Sequence, residues 1–191
     1  MESSARRLFI ALPVDDETLL FTLMEKHVYL KKCESFLKVV PPENFHITLK
    51  FFGPVKPEIA ASLAGSFSKL KQLNKVEYRI EGLGAFPSID NPSVIWAGLK
   101  CDEKPLAGIL QSVEGLASSF GFPSDKRKFI PHLTLARIKR EKKVPADLKN
   151  FLLGEKLAFH GSSAFTELVL FESVLKRTGA EYKKIEVLNL I

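Results

Sequence analysis

Cysteine is scarce in this chain, and the scarcity excludes a good deal. The 191 residues hold two, Cys33 and Cys101, far apart and in no metal-like spacing. A disulfide framework and a cysteine-based metal site are therefore not expected, and a reducing, cytoplasmic setting is. Long apolar runs are also missing. The N-terminal run "LFIALPV" is too short for a signal peptide and is followed at once by Asp15 and Asp16. No run approaches the roughly 20 apolar residues that span a bilayer. The expectation is a soluble protein with no membrane partner. There is no glycine-rich phosphate loop, no C-x-x-C pair and no low-complexity tract. Histidine is limited to 4 residues, so where they fall carries information.

What is present is an ordinary globular balance, 46% hydrophobic and 26% charged. The formal charge of +6 leans toward an anionic partner, such as nucleic acid or a phosphorylated small molecule, although solubility alone also accounts for a charge of this size. Strand-like segments lie at 7–14, around "LKVV", at 45–53, 76–86, 94–100 and 130–138, and through the tail. Helical patterns lie at 15–32, 56–73 and 104–121, with a basic linker and a short helix over 139–153. Asp15 is the expected N-cap of the first helix, and Leu19, Leu20, Leu23 and Val28 its apolar stripe. Gly53-Pro54 is expected to stop the strand at 45–53. Strands and helices in this order predict an α+β fold. The length suits one domain, 1–191, made of two lobes around a cleft.

Two stretches break the apolar pattern in the same way. "NFHITLKFFG" holds His46 and Thr48, and "IPHLTLARI" holds His132 and Thr134. The four-residue pattern spans 46–49 and 132–135, one copy in each half of the chain. Side chains on a strand alternate faces. Each strand thus buries two aliphatic residues and presents an imidazole and a hydroxyl on its opposite face. Histidine gives or takes a proton near neutral pH. Threonine is stiff on a strand and can hydrogen-bond a phosphoryl oxygen. Facing each other, the two units supply an acid, a base and two oxygen clamps, the parts needed for in-line displacement at phosphorus. One such motif alone is more often a core or edge histidine. Two in a chain this poor in histidine are not easily so explained. His27 and His160 lack the pattern and are expected at a helix surface and a strand end.

Basic residues flank both motifs. Lys50 shares the strand parity of His46 and Thr48, while Arg127 and Arg137 bracket the second motif. All three are candidates for substrate phosphate, with a solvated surface as the alternative for Lys50 and Arg137. The run "KREKK" (139–143) reads as solvated. Phe45 and Phe129 could stack on a base, but Phe45 has core parity. A zinc or iron site would need a carboxylate beside the two histidines. Glu43 is near His46, but no acid lies close to His132 on its strand, so neither metal nor cofactor is expected.

With these residues in hand, "RLFIALP", "VPPENFHITLKFFG", "GAFP", "VIWAGL", "FIPHLTLARI" and "LFESVLKRTGAEY" fall in an order that resembles the RNA 2′,3′-cyclic phosphodiesterases, long called 2′-5′ RNA ligases, of the 2H phosphoesterase superfamily. The resemblance spans nearly the whole chain. It implies two similar lobes, each an antiparallel sheet with helices on its outer face, around a cleft carrying the two HxTx strands. It also implies metal-independent hydrolysis of a 2′,3′-cyclic phosphate end of RNA or a nucleotide to a 2′-phosphomonoester. In that family His46 resembles the proton donor to the 3′ oxygen and His132 the acceptor that activates water. Thr48 and Thr134 resemble the phosphate clamps, and Arg127 the basic residue before the second motif. Three alternatives stand: a 2′-5′ linked or other cyclic nucleotide substrate, reversible ligation with the same residues, and a non-catalytic RNA-binding module. A monomer is expected.

Overall fold

The computed structural model describes residues 5–70, 72–125, 128–139, 144–176 and 179–191. In chain order the elements are β1 (Arg6–Pro13), α1 (Glu17–Lys32), β2 (Leu37–Val39), a 3-10 turn (Pro42–Asn44), β3 (His46–Val55), α2 (Pro57–Phe67), β4 (Val76–Pro87), β5 (Pro92–Cys101), α3 (Glu103–Ser119), β6 (His132–Ile138), α4 (Ala146–Gly154), β7 (Phe159–Phe165), β8 (Glu167–Lys176) and β9 (Gly179–Asn189). Two antiparallel sheets result, in the orders β3-β1-β8-β9 and β2-β6-β5-β4-β7. This is the α+β fold expected.

The sheets do not divide the chain into halves. The first takes β1 and β3 from the N-terminal half but β8 and β9 from the C-terminus. The second gains β2 and β4 from the N-terminal half. Helices are exchanged as well: α1 follows β1 yet packs on β2 and β7, and α3 follows β5 yet packs on β3.

Strand β1 shows why its sequence reads as an unbroken apolar run. Leu8, Ile10 and Leu12 enter the main core, while Phe9 and Ala11 face the other way and pack with Val169 and Phe171. Both faces are covered, so alternation is lost.

Several local expectations shift. The N-cap of α1 is Asp16, whose Oδ1 accepts from the Leu19 amide at 2.9 Å; Asp15 is one residue too early. The buried face of α1 is Leu19, Leu23, His27 and Leu30, which leaves Val28 exposed and puts His27 in the interior. His160 is also buried. Strand β3 continues through Gly53 and Pro54 to Val55. As the edge strand of its sheet it can carry a proline without losing a ladder bond. Helix α2 ends at Phe67, shorter than its apolar pattern suggested.

Candidate active site

The two motif strands carry the same irregularity at the same place. In β3, Thr48 pairs with Ala11 and Lys50 with Ile10, so Leu49 is the extra residue of a bulge. In β6, Thr134 pairs with Trp96 and Ala136 with Ile95, so Leu135 is the extra residue. The register matches on either side: His46 opposes Pro13 as His132 opposes Gly98, and Phe51 opposes Phe9 as Arg137 opposes Val94. A bulge lets two consecutive side chains point the same way and then resets the alternation. Leu49 and Lys50 are accordingly both buried, as are Leu135 and Ala136, while Phe51 and Arg137 return to the exposed face.

This decides the fate of two candidate basic residues. Lys50 does not share a face with His46 and Thr48, as strict alternation predicts. The bulge turns it inward, where its Nζ donates to Glu114 Oε1 at 2.8 Å and to the Pro123 carbonyl at 2.7 Å. It is a buried tie between β3 and the end of α3, not a cleft residue. Arg137, three positions after Thr134, is brought to the exposed face by the same device. Its charge acts on His46. Arg127 lies outside the described residues.

Each histidine begins its strand and is anchored by a carbonyl two residues earlier. His46 Nδ1–H donates to Asn44 O at 2.7 Å, and His132 Nδ1–H donates to Ile130 O at 2.7 Å. A carbonyl only accepts, so the proton in the neutral ring sits on Nδ1 and Nε2 is left as the working nitrogen. In His46 that nitrogen accepts from the Thr48 hydroxyl at 3.1 Å. Strands β3 and β6 approach each other, and the charge of His132 is felt at His46. The structure thus puts His46 and Thr48 on one strand face and His132, Thr134 and Arg137 on another, with the charges of His132 and Arg137 acting on His46, and leaves Lys50 out.

The walls differ. The His46 ring is packed by Phe9 at 5.1 Å, Tyr182 edge-on at 5.3 Å and Phe171 at 6.2 Å. Burial pushes its pKa down to about 4, and the Arg137 and His132 charges add to the effect against the pull of the Asn44 carbonyl. His132 meets one ring, Phe86, edge-on at 5.0 Å. Phe86 lies beside Trp96 at 5.1 Å. Gly84 permits that wall, since a Cβ there would sit 2.4 Å from the indole. A recess of about 370 Å³ opens beside His46, bounded in part by Asn44, Phe171, Tyr182 and Lys184. Sequence reading missed Phe9, Phe86, Trp96, Phe171 and Tyr182. For Phe9 the parity of β1 was a usable signal; Phe171 and Tyr182 come from strands whose place in the sheet the sequence does not announce. Phe45 is in the core, as its parity implied. Among the described residues no three His, Cys, Asp or Glu side chains form a metal-binding group.

Comparison with known proteins identifies the family. A family model described as LigT like phosphoesterase matches residues 25–96 and 99–182. The RNA 2′,3′-cyclic phosphodiesterase of Aeropyrum pernix is 40% identical over 152 residues, 78% of this chain and 84% of that protein. The RNA 2′,3′-cyclic phosphodiesterase of Archaeoglobus fulgidus is 36% identical over 185 residues, 95% of this chain and 98% of that protein. Among solved structures, E. coli LigT complexed with 3′-AMP superposes with a TM-score of 0.74 at 22% identity, covering 97% of this chain and 98% of its own. At that identity the likeness speaks to the fold. The matched model covers both histidine strands, and the chain belongs to the LigT-like phosphoesterase family.

Proposed function

We propose that the cleft hydrolyses the 2′,3′-cyclic phosphate of RNA or a nucleotide to a 2′-phosphomonoester. The observation that carries this reading is the pair of matched HxTx strands. Each holds its histidine by Nδ1, leaves Nε2 free to work and carries a threonine on the same strand face, and His132 and Arg137 lie close enough for their charges to act on His46. Relatives of the chain bear the name RNA 2′,3′-cyclic phosphodiesterase, which supplies the substrate class.

In the proposed step, His132 Nε2 takes a proton from water as the water oxygen bonds to phosphorus. The bond from phosphorus to the 3′ oxygen breaks, and His46 Nε2–H gives its proton to that oxygen. Water and the cyclic diester become a 2′-phosphomonoester and a 3′ hydroxyl. Thr48, Thr134 and Arg137 hold the nonbridging oxygens, where charge gathers in the transition state. Arg127 is a further candidate on sequence grounds. In the free protein His46 is neutral at pH 7, because its pKa is near 4. The donor role therefore requires the anionic phosphoryl group to raise that pKa on binding.

The test is turnover of a nucleoside 2′,3′-cyclic phosphate with and without EDTA, resolving the 2′- from the 3′-monophosphate. EDTA-resistant 2′-phosphate is the expected result. A 3′-phosphate would reverse the assigned leaving oxygen, and no product would overturn the reading.

A further inference from the structure

The strand face that carries His46 and Thr48 does not end at the motif. Phe51, turned outward by the bulge, is 52% exposed. Its partner across the ladder is Phe9, whose ring lies 5.1 Å from the His46 ring. Phe51 therefore stands one strand away from the wall of the candidate site. Arg7, two residues before Phe9 on β1, shares that face and sets its guanidinium 5.4 Å from the centre of the Phe51 ring. Arg6 turns the other way and is held by Glu172 at 2.8 Å. Arg7 is exposed, and among the described residues it forms no ion pair. An open ring beside a free cation is the pairing that holds single-stranded nucleic acid, the ring by stacking on a base and the cation by its charge.

We propose that Phe51 and Arg7 form a subsite for the nucleotide on the 5′ side of the one that bears the cyclic phosphate. The base of that neighbour stacks on Phe51, and Arg7 takes the phosphodiester that joins the two nucleotides. This rests on the hydrolytic reading above and narrows the substrate to an RNA end of at least two nucleotides. Spacing is the first argument. Three residues of strand, roughly 10 Å, separate Phe51 from Thr48, the candidate clamp on the reacting phosphate. That reaches past the phosphate to the adjoining nucleotide. Charge is the second. The recess at the other end of the motif is lined by Asp15, Glu17 and Glu43, and its Lys184 is bound to Glu167 at 2.6 Å. A second phosphate is repelled there and attracted at Arg7, so the chain leaves past Phe51. Chemistry is the third. A nucleoside cyclic phosphate has one phosphate, which the threonines and Arg137 claim, and only a longer chain supplies another for Arg7. Stacking accepts every base, so the subsite confers a preference for length without a preference for sequence.

The experiment compares kcat/KM for adenosine 2′,3′-cyclic phosphate and for the dinucleotide ApA 2′,3′-cyclic phosphate at fixed salt. The dinucleotide should be preferred by about 10-fold, chiefly through KM, as the stacking of one base implies. Phe51→Ala and Arg7→Gln should each bring the ratio of the two substrates close to one, and Phe51→Trp should keep it. Circular dichroism and melting verify the fold, which both exposed side chains should leave intact. Equal kcat/KM for the two substrates in the unaltered protein overturns the proposal. So does a dinucleotide preference that survives both changes. A loss of equal size on both substrates also overturns it, because Phe51 would then hold the terminal base. Calorimetric binding of ApA 2′-phosphate against adenosine 2′-phosphate keeps this proposal apart from the hydrolytic one. If neither cyclic substrate turns over, a Phe51-dependent gain for the dinucleotide sustains the subsite while the hydrolytic reading falls, and equal binding overturns the subsite.

Discussion

The two motif strands share a pattern, a bulge and a carbonyl anchor, yet they put their histidines in different surroundings. His46 stands against three aromatic rings, two of them supplied by the C-terminal strands β8 and β9. His132 has one ring at its edge. The bulge that brings Arg137 to the exposed face in one sheet brings Phe51 to the matching place in the other. It buries Ala136 in one and Lys50 in the other. Identical backbone devices therefore deliver different chemistry, because the residues after the motif and the strands packed around it differ. The lesson is that a shared backbone sets positions, while each strand's neighbours set proton affinity and charge.

The largest test of that comparison removes the histidines one at a time. His46→Ala and His132→Ala should each lower turnover of a cyclic phosphate by about 10²–10⁴-fold, the span for a positioned acid or base. Near-full activity in either variant would take that residue out of the mechanism. Next come the two post-motif cations, which should separate cleanly. Arg137→Ala should reduce kcat/KM by about 10–100-fold, as expected for losing a charged hydrogen bond of about 1.5–3 kcal/mol, with melting unchanged. Lys50→Ala should instead destabilise the fold by about 1–3 kcal/mol, since it leaves Glu114 and the Pro123 carbonyl without their donor, and denaturant unfolding measures it. If Lys50→Ala mainly raised KM, the inward placement would be wrong.

Proton affinity gives the finer tests. The pKa of His46 is held down to about 4 in the folded state, against an ordinary value near 6.5. The unfolded chain therefore takes up this proton first. Stability from the neutral ring is complete above pH 6.5 and is lost as the pH falls from there toward about 4. Burial also lowers the pKa values of His27 and His160, so both add to acid sensitivity in the same direction. Unfolding followed across that window should be less steep in His46→Gln. The profile of kcat/KM, which reports the free enzyme, separates the roles. A donor His46 predicts a decline as pH rises through about 4, and a base His46 predicts a rise. The smallest expected effect is Tyr182→Ala, which admits water to the ring and moves the His46 pKa back toward its ordinary value, as read by NMR titration.

The sequence made much of this legible, for identifiable reasons. His46, Thr48, His132 and Thr134 stand out because polar side chains on alternate positions of an apolar strand need a reason to be there. The α+β class followed from the order of strand and helix patterns. The inward turn of Lys50 was not legible, because a bulge has no composition signal in "TLKFF" or "TLARI"; only pairing with β1 and β5 reveals the skipped leucine. The aromatic wall escaped for another reason. Phe171 and Tyr182 lie more than a hundred residues from His46, and their proximity is a product of sheet order. The burial of His27 could have been read from Leu23 and Leu30, which share its face of α1.

The exchange of strands between sheets also has a consequence for how the protein is made. The sheet that carries His46 contains β8 and β9, which leave the ribosome well after β1 and β3. Until they arrive, β1 has an open edge and Phe9 lacks the partners Phe171 and Tyr182. A nascent chain that ends before residue 167 can complete neither that sheet nor the dry surroundings of His46. Its central pairing of β1 with β8 is non-local, so its closure waits on β8 and is intrinsically slow. Until β8 emerges, β1 offers a bare strand edge of the kind that draws aggregation and chaperones.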